Sequence, residues 1–282
     1  MQVESTPSVV REIVRTARRD RAVVGVVPTM GALHAGHVSL IERARTECDF
    51  VVATIFVNPT QFGPNEDFSK YPRTMEQDLE MCKNADADLV FTPDTSQMYT
   101  ADAETVVKVT QLTSRLEGAV RPTHFDGVTT VVAKLFNITD PDKAFFGQKD
   151  FQQQLVIRRM VADLDWGIEI VTCPIVREAD GLAMSSRNRY LSAEERQRSL
   201  VLSQSLQLGK KLALETAATP AEIERQMQDL ILATDGVVLD YAVVLSADSL
   251  LPLQNRPDSA VALVAARLGA TRLIDNQILQ FR

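Results

Sequence analysis

Cysteine is scarce in this chain of 282 residues: Cys48, Cys82 and Cys173 stand far apart with no C-x-x-C pair. That excludes a disulfide framework and a cysteine-built zinc centre, and reads as free thiols in a reducing compartment. Histidine is equally sparse, with only His34, His37 and His124. The H-x-x-H at 34–37 therefore lacks a third nearby His or Cys to complete a zinc site. No apolar run approaches the roughly 18 residues of a membrane span, and residues 1–19 lack the apolar core of a secretory signal. The spacing of Val9, Val10, Ile13 and Val14 predicts an ordinary amphipathic helix there. Basic residues are outnumbered, 30 against 37 acidic, for a net charge of −7. Such a balance excludes a general nucleic-acid surface but leaves room for a local cationic pocket. The expectation is a cytoplasmic protein with no membrane or nucleic-acid partner.

What is present is apolar substance in an alternating order. With 45% hydrophobic residues the chain can bury a sizeable core, and its length suggests two domains. Strand-like runs at 23–27, 51–57, 89–91, 144–146 and 168–171 alternate with helical periodicity at 39–47, 75–84, 128–137 and 152–164. Strands apolar on both faces, separated by helices, predict an α/β fold: a Rossmann-like parallel sheet covered by helices. Ligands of such sheets bind beyond the carboxyl ends of the strands. After residue 192 the order changes to two helices, 193–213 and 221–233, then short strands at 237–245, 260–265 and 271–274. This predicts a smaller α+β domain with antiparallel pairing. The expected domains are 1–176 and 177–282.

The densest chemistry lies in Pro28-Thr-Met-Gly-Ala-Leu-His-Ala-Gly-His37, where a buried strand runs into a helix. Gly31 and Gly36 permit close backbone approach and dihedrals other residues resist. The helix start offers unpaired N–H groups and the positive end of its dipole, a natural seat for phosphate. His34 and His37, three apart, share one helix face. By itself such a string also describes a turn with structural histidines. A second string, Asp180-Gly-Leu-Ala-Met-Ser-Ser-Arg-Asn-Arg-Tyr190, follows another strand and supplies hydroxyls (Ser185, Ser186) and a planar guanidinium (Arg187) suited to phosphate. Lys149, in the Gly147-Gln-Lys-Asp150 turn, is a third cation after a strand.

The H-x-G-H and M-S-S-R pair resembles the signatures of the nucleotidyltransferase superfamily that includes class I aminoacyl-tRNA synthetases. With Phe56-Val-Asn-Pro-Thr-Gln-Phe-Gly63, Tyr71-Pro-Arg-Thr74, Arg121-Pro-Thr-His-Phe125 and Phe146-Gly-Gln-Lys-Asp-Phe-Gln-Gln153, the set resembles the pantothenate synthetase (pantoate–β-alanine ligase) family from about Gly25 to Asn276. That resemblance implies ATP-dependent condensation of pantoate with β-alanine through pantoyl adenylate, with Mg2+ accompanying ATP, no tightly bound organic cofactor, a C-terminal lid domain and a homodimer. It implies ATP contacts from Met30, Gly31, Ala32, Leu33, His34, Ala35, Gly36, His37, Gly147, Gln148, Lys149, Asp150, Val176, Met184, Ser185, Ser186 and Arg187. Of these, His37, His34, Lys149 and Arg187 would serve catalysis. Gln61, Gln153, Asn58, Tyr71 and Arg121 would hold pantoate, Gln61 would also lie near β-alanine, and Asp78 would lie near the metal. Other nucleotidyltransferases share the His loop, and a non-catalytic nucleotide-binding regulator would keep the pocket. A tRNA-charging enzyme fits poorly with the acidic balance and the lack of an added RNA-binding domain.

Overall fold

The computed structural model describes residues 1–64 and 66–282. The chain divides into two compact units. The first comprises residues 1–148 with 152–174, and the second comprises 149–151 with 175–282.

The first unit is built on six parallel strands: β1 (Gln2–Glu4), β2 (Val24–Thr29), β3 (Phe50–Ile55), β4 (Leu89–Phe91), β5 (Lys143–Gly147) and β6 (Glu169–Cys173). They lie in the order β1-β4-β3-β2-β5-β6. Alternate residues feed opposite faces. On one face Val24, Val26, Val52, Leu89, Phe91, Ala144 and Phe146 pack with residues of α1 (Pro7–Arg19), α6 (His124–Thr139) and α7 (Phe151–Asp163). On the other, Val27, Val51, Ala53, Ile55, Val90 and Phe145 meet residues of α2 (Ala35–Glu47) and α3 (Met75–Asn84). Two short helices, α4 (Thr95–Met98) and α5 (Glu117–Val120), lie between β4 and α6. Each large apolar side chain buried in these layers contributes about 1.5–3 kcal/mol. The amphipathic α1 buries Val10 and Val14, as its spacing predicts. Cys48, Cys82 and Cys173 are free, buried thiols; burial pushes Cys82 up to about 12 and Cys48 to about 11.

The strand order reverses at β2, with β3 on one side and β5 on the other. Pro28 helps to open this switch point. The carbonyl of Val24 faces β5, where it accepts the N–H of Asp142, while that of Val23 faces β3. By alternation the missing N–H of Pro28 faces β5, whose pairing with β2 covers only Gly25 and Val26. The ring therefore forfeits no ladder bond, and the two strands end apart, as ligand crevices in such sheets require.

The second unit stacks α8 (Ala193–Glu215) and α9 (Pro220–Leu232) on an antiparallel sheet, β7 (Val237–Leu245), β8 (Ser259–Leu268) and β9 (Thr271–Gln280). Both helices begin with capping boxes, Ser192 with Glu195 and Thr219 with Glu222, each cap contributing about 1 kcal/mol. β8 and β9 outrun their apolar cores. β9 continues through Asp275 and Asn276, buried polar residues with partners described below, where the sequence pattern suggests a stop at 274. Among the described residues no helix is long and apolar enough to cross a membrane.

Candidate active site

The loop from β2 to α2 is fixed from beneath. Gly31 and Ala32 both take positive φ, 79° and 49°, and the amides of Ala32 and Leu33 meet one carboxylate. The N–H of Ala32 donates to Asp78 Oδ2 at 2.9 Å, and that of Leu33 to Asp78 Oδ1 at 2.8 Å. The Thr74 hydroxyl adds a third bond to Oδ1 at 3.1 Å. Left-handed Ala32 costs about 1–2 kcal/mol; hydrogen bonds to a charged group return about 1.5–3 kcal/mol each, so the carboxylate outweighs the strain. A Cβ on Gly31 would come within 3.0 Å of Oδ2, so glycine is required for this approach as well as for φ. The Gly31 N–H donates to Thr29 Oγ1, itself bonded to the Thr54 carbonyl.

His34 is the N-cap of α2. Its Nδ1 accepts the N–H of Gly36 at 3.1 Å, so the neutral ring carries its proton on Nε2. The His34 carbonyl accepts the His37 N–H at 2.8 Å, and the two rings lie 4.1 Å apart between centroids. Both imidazoles thus stand together at the positive end of a helix. The side chains of Met30 and Gln61 also meet, Gln61 Nε2 lying 3.0 Å from Met30 Sδ.

Gln61 sits in a 3-10 turn, Pro59–Gln61, that is held on several sides. Asn58 Nδ2 donates to Gln61 Oε1 and to the Gly127 carbonyl, while Asn58 Oδ1 accepts from Thr60 and from the Tyr99 hydroxyl. The Gln61 carbonyl lies 2.9 Å from His124 Nδ1 and 3.3 Å from Arg121 Nη2. Arg121 grips Glu66 with two bonds of 2.6 Å. Burial pushes the Glu66 carboxyl up, but the bonds and charge of Arg121 outweigh it and leave it below its ordinary value. Burial and the Arg121 charge push His124 down to about 4, against the partial opposition of the Gln61 carbonyl. His124 is therefore neutral, and its Nδ1–H donates to that carbonyl. Tyr71 is buried edge-on against Phe62, and Gln153 is half-buried in the first turn of α7. Gly147 ends β5, where an added Cβ would meet nothing within 4 Å, and Gln148 follows it.

The other expected phosphate residues lie in the second unit. Residues 177 and 183 bridge antiparallel, and the Met184 N–H donates to the Val176 carbonyl. This hairpin delivers Ser185, whose Oγ caps a 3-10 turn by accepting the Arg187 N–H, with Ser186 buried behind it. Asn188 Nδ2 ties the turn to Glu178 and to the Ala183 carbonyl. Lys149 belongs here by contact: Asn276 Nδ2 on β9 donates to its carbonyl at 2.9 Å, while Asp150 is exposed. Asp275, next in β9, receives two bonds from Arg177, at 2.6 and 3.0 Å. Burial raises the pKa of its carboxyl despite that pairing.

Three His-loop expectations meet particular facts. The amides of Ala32 and Leu33, expected at ATP, already donate to Asp78. Asp78 itself, expected near the metal, is 1% exposed with both oxygens engaged. Among the described residues no group of three His, Cys, Asp or Glu stands ready to hold a metal ion. Thr74, Tyr99, Gly127 and Asn276 carry no signature that marks them as supports; only the fold brings them to the site residues. Glu66 likewise shows its role only once Arg121 lies beside it.

A six-stranded parallel sheet with helices on both faces, followed by a small antiparallel unit, defines a Rossmann-like α/β protein with an appended C-terminal domain. The chain belongs to the pantoate-beta-alanine ligase family, whose profile matches residues 2–278. It is 50% identical over 280 residues to the pantothenate synthetase of Moorella thermoacetica, covering 99% of both chains. The crystal structure of pantothenate synthetase from Thermus thermophilus superposes with a TM-score of 0.94 at 46% identity, over 98% of this chain and 99% of that one. The pantoate-beta-alanine ligase of Francisella tularensis, complexed with beta-gamma ATP and beta-alanine, gives a TM-score of 0.80 at 32% identity, over 99% and 97% of the two chains.

Proposed function

We propose that the chain condenses (R)-pantoate with β-alanine at the expense of ATP, yielding pantothenate, AMP and pyrophosphate. A carboxylate is a poor electrophile, so the pantoate carboxylate first attacks the α-phosphorus of ATP, pyrophosphate leaves, and pantoyl adenylate forms. The β-alanine amine then attacks the acyl carbon and expels AMP. The observation that carries this reading is the braced Gln61, fixed through Asn58, His124 and Arg121 in the same unit as the helix-start histidines. A glutamine held so firmly offers a donor and an acceptor to a hydroxy acid, and rejects analogues whose missing hydroxyl would leave it unpaired. Asn58, Tyr71, Arg121 and Gln153 complete the pantoate set in this reading, with β-alanine beside Gln61.

Charge accumulates on the α-phosphoryl oxygens and departing pyrophosphate, and fixed donors aimed there are the main catalytic resource. The Nε2–H of His34, the His37 imidazole, Lys149, Ser185, Ser186 and Arg187 supply such donors in our reading, with His37 serving the departing phosphate. Met30, Gly31, Ala35, Gly36, Gly147, Gln148, Asp150, Val176 and Met184 provide the nucleotide's backbone and apolar surroundings. Magnesium would accompany ATP and neutralise charge on its phosphates, needing few protein carboxylates to do so; the described residues group no three His, Cys, Asp or Glu side chains for it. In this reading the first unit is the catalytic domain and the second the smaller C-terminal domain of a cytoplasmic homodimer. The first is narrowed from the expected 1–176, and the second widened from 177–282, by residues 149–151 and 175–176. The test is pyrophosphate release from ATP and pantoate, with and without β-alanine. Release with pantoate alone, followed by pantothenate when β-alanine is added, is expected. Pyrophosphate release that ignores pantoate would overturn the assignment.

A further inference from the structure

Asp78 is joined to the His loop by backbone rather than side-chain chemistry. The consecutive amides of Ala32 and Leu33 converge on one anion, and that anion is this buried carboxylate. The two captured N–H groups belong to the residues immediately before His34, whose ring caps α2 and whose carbonyl receives the His37 N–H. Position therefore passes from α3 through Ala32 and Leu33 to both imidazoles. We infer that Asp78 is a positioning residue for His34 and His37, and not a ligand for magnesium. A phosphate cannot use the amides of Ala32 and Leu33 while the carboxylate holds them, so it is left to the helix start and the two rings. This inference rests on the reading that these rings serve the nucleotide, but its first readout is independent of that reading.

Three histidines in the whole chain make the readout direct. Imidazole 15N spectra of the full chain, free of substrate and treated with a chelator, are compared between the unmodified protein and Asp78→Asn. The substitution keeps the size but turns an NH2 group towards an amide donor. The His34 and His37 signals are expected to move while those of His124 stay in place. Turnover of ATP and pantoate to pyrophosphate is expected to fall about 100-fold, the scale of a small misplacement of reacting groups, with the KM for pantoate within about threefold. Raising magnesium should restore nothing. Unmoved His34 and His37 signals, or activity recovered with added magnesium, would overturn the inference. Should Asp78→Asn fail to fold by circular dichroism, Thr74→Val decides: it removes one bond to Oδ1 and must move the same two signals by a smaller amount. Shifted signals in a protein whose unmodified form makes no pyrophosphate would sink the proposed function and leave the positioning role standing.

Discussion

His124 should make the protein lose stability in acid over a definable window. Its folded pKa is pushed to about 4 by burial and by Arg121, against about 6.5 for an unperturbed histidine. The folded state keeps the ring neutral, so the unfolded chain binds a proton that the native protein refuses. The stability this provides is complete above about pH 6.5 and falls as the pH drops through 6.5 towards 4. Two and a half units at about 1.36 kcal/mol each amount to roughly 3 kcal/mol across that window. Urea titrations of the unmodified protein and of His124→Asn at several pH values between 7.5 and 4.5 would measure it. Asparagine places an N–H near the former Nδ1, so the Gln61 carbonyl retains a donor. The variant should be less stable at pH 7.5, because the ring's volume is lost, yet its stability should decline less steeply with acid. The slopes should differ by as much as one proton. Carboxylates elsewhere contribute equally to both proteins and cancel in the comparison. Parallel curves would refute the assignment of a buried neutral ring. A curve steeper in the variant would reverse its sign.

Gly127→Ala would set a methyl within 2.6 Å of the Gln61 nitrogen and against the Thr60 carbonyl, both backbone. Steady-state kinetics should show a KM for pantoate raised at least about tenfold, with that for ATP nearly unchanged, and a stability loss of about 1–3 kcal/mol. Lys149→Ala should slow pyrophosphate release by about 100-fold, the scale of one lost transition-state donor. It should reduce amide formation from supplied pantoyl adenylate by less than tenfold, and equal losses would remove the phosphate role. Arg177→Leu strands a buried carboxylate and should cost about 3–5 kcal/mol by denaturant unfolding. Adding Asp275→Leu should return part of it, and a double variant no better than the single one would show that the pair was not the cause.

The alternation of apolar runs and helical periodicity placed both folds in view because burial on two faces leaves a continuous signal. The strand at 89–91 and the helix at 75–84 are legible to the residue. β1 is not: three residues at a sheet edge, largely exposed, carry neither alternation nor an apolar run. The continuation of β9 past residue 274 is hidden for the opposite reason, since Asp275 and Asn276 look like a strand's end until Arg177 and the Lys149 carbonyl are beside them. Within the candidate site, the motif strings mark the groups proposed to meet a ligand, whose chemistry is written in residue type. The braces are silent. Asp78 and His124 owe their importance to backbone atoms 45 to 63 positions away, and Gly127 to the still more distant Thr60 and Gln61. No local pattern encodes a partner at that range. His124 lies within a motif string, yet the string alone does not say that its ring holds the Gln61 carbonyl.

Lys149 shows why a motif string and a structural unit need not share boundaries. In sequence it follows β5 directly, and Gly147-Gln-Lys-Asp150 looks like one phosphate turn. In the fold, the string divides after Gln148, and Lys149 clusters with the C-terminal sheet. A half-buried lysine has a long, mobile stem, and its reach is determined by where its backbone is pinned. Here the pin is Asn276, whose place on β9 depends on neighbours that tolerate two polar residues inside a sheet. Arg177 neutralises the first of these and also bonds the Gly181 carbonyl in the hairpin that delivers Ser185. One half-buried guanidinium therefore supports both the strand that seats Lys149 and the hairpin that presents the serine turn. Damage to that one ion pair should therefore reach the cationic and the hydroxyl groups of the second unit in one step.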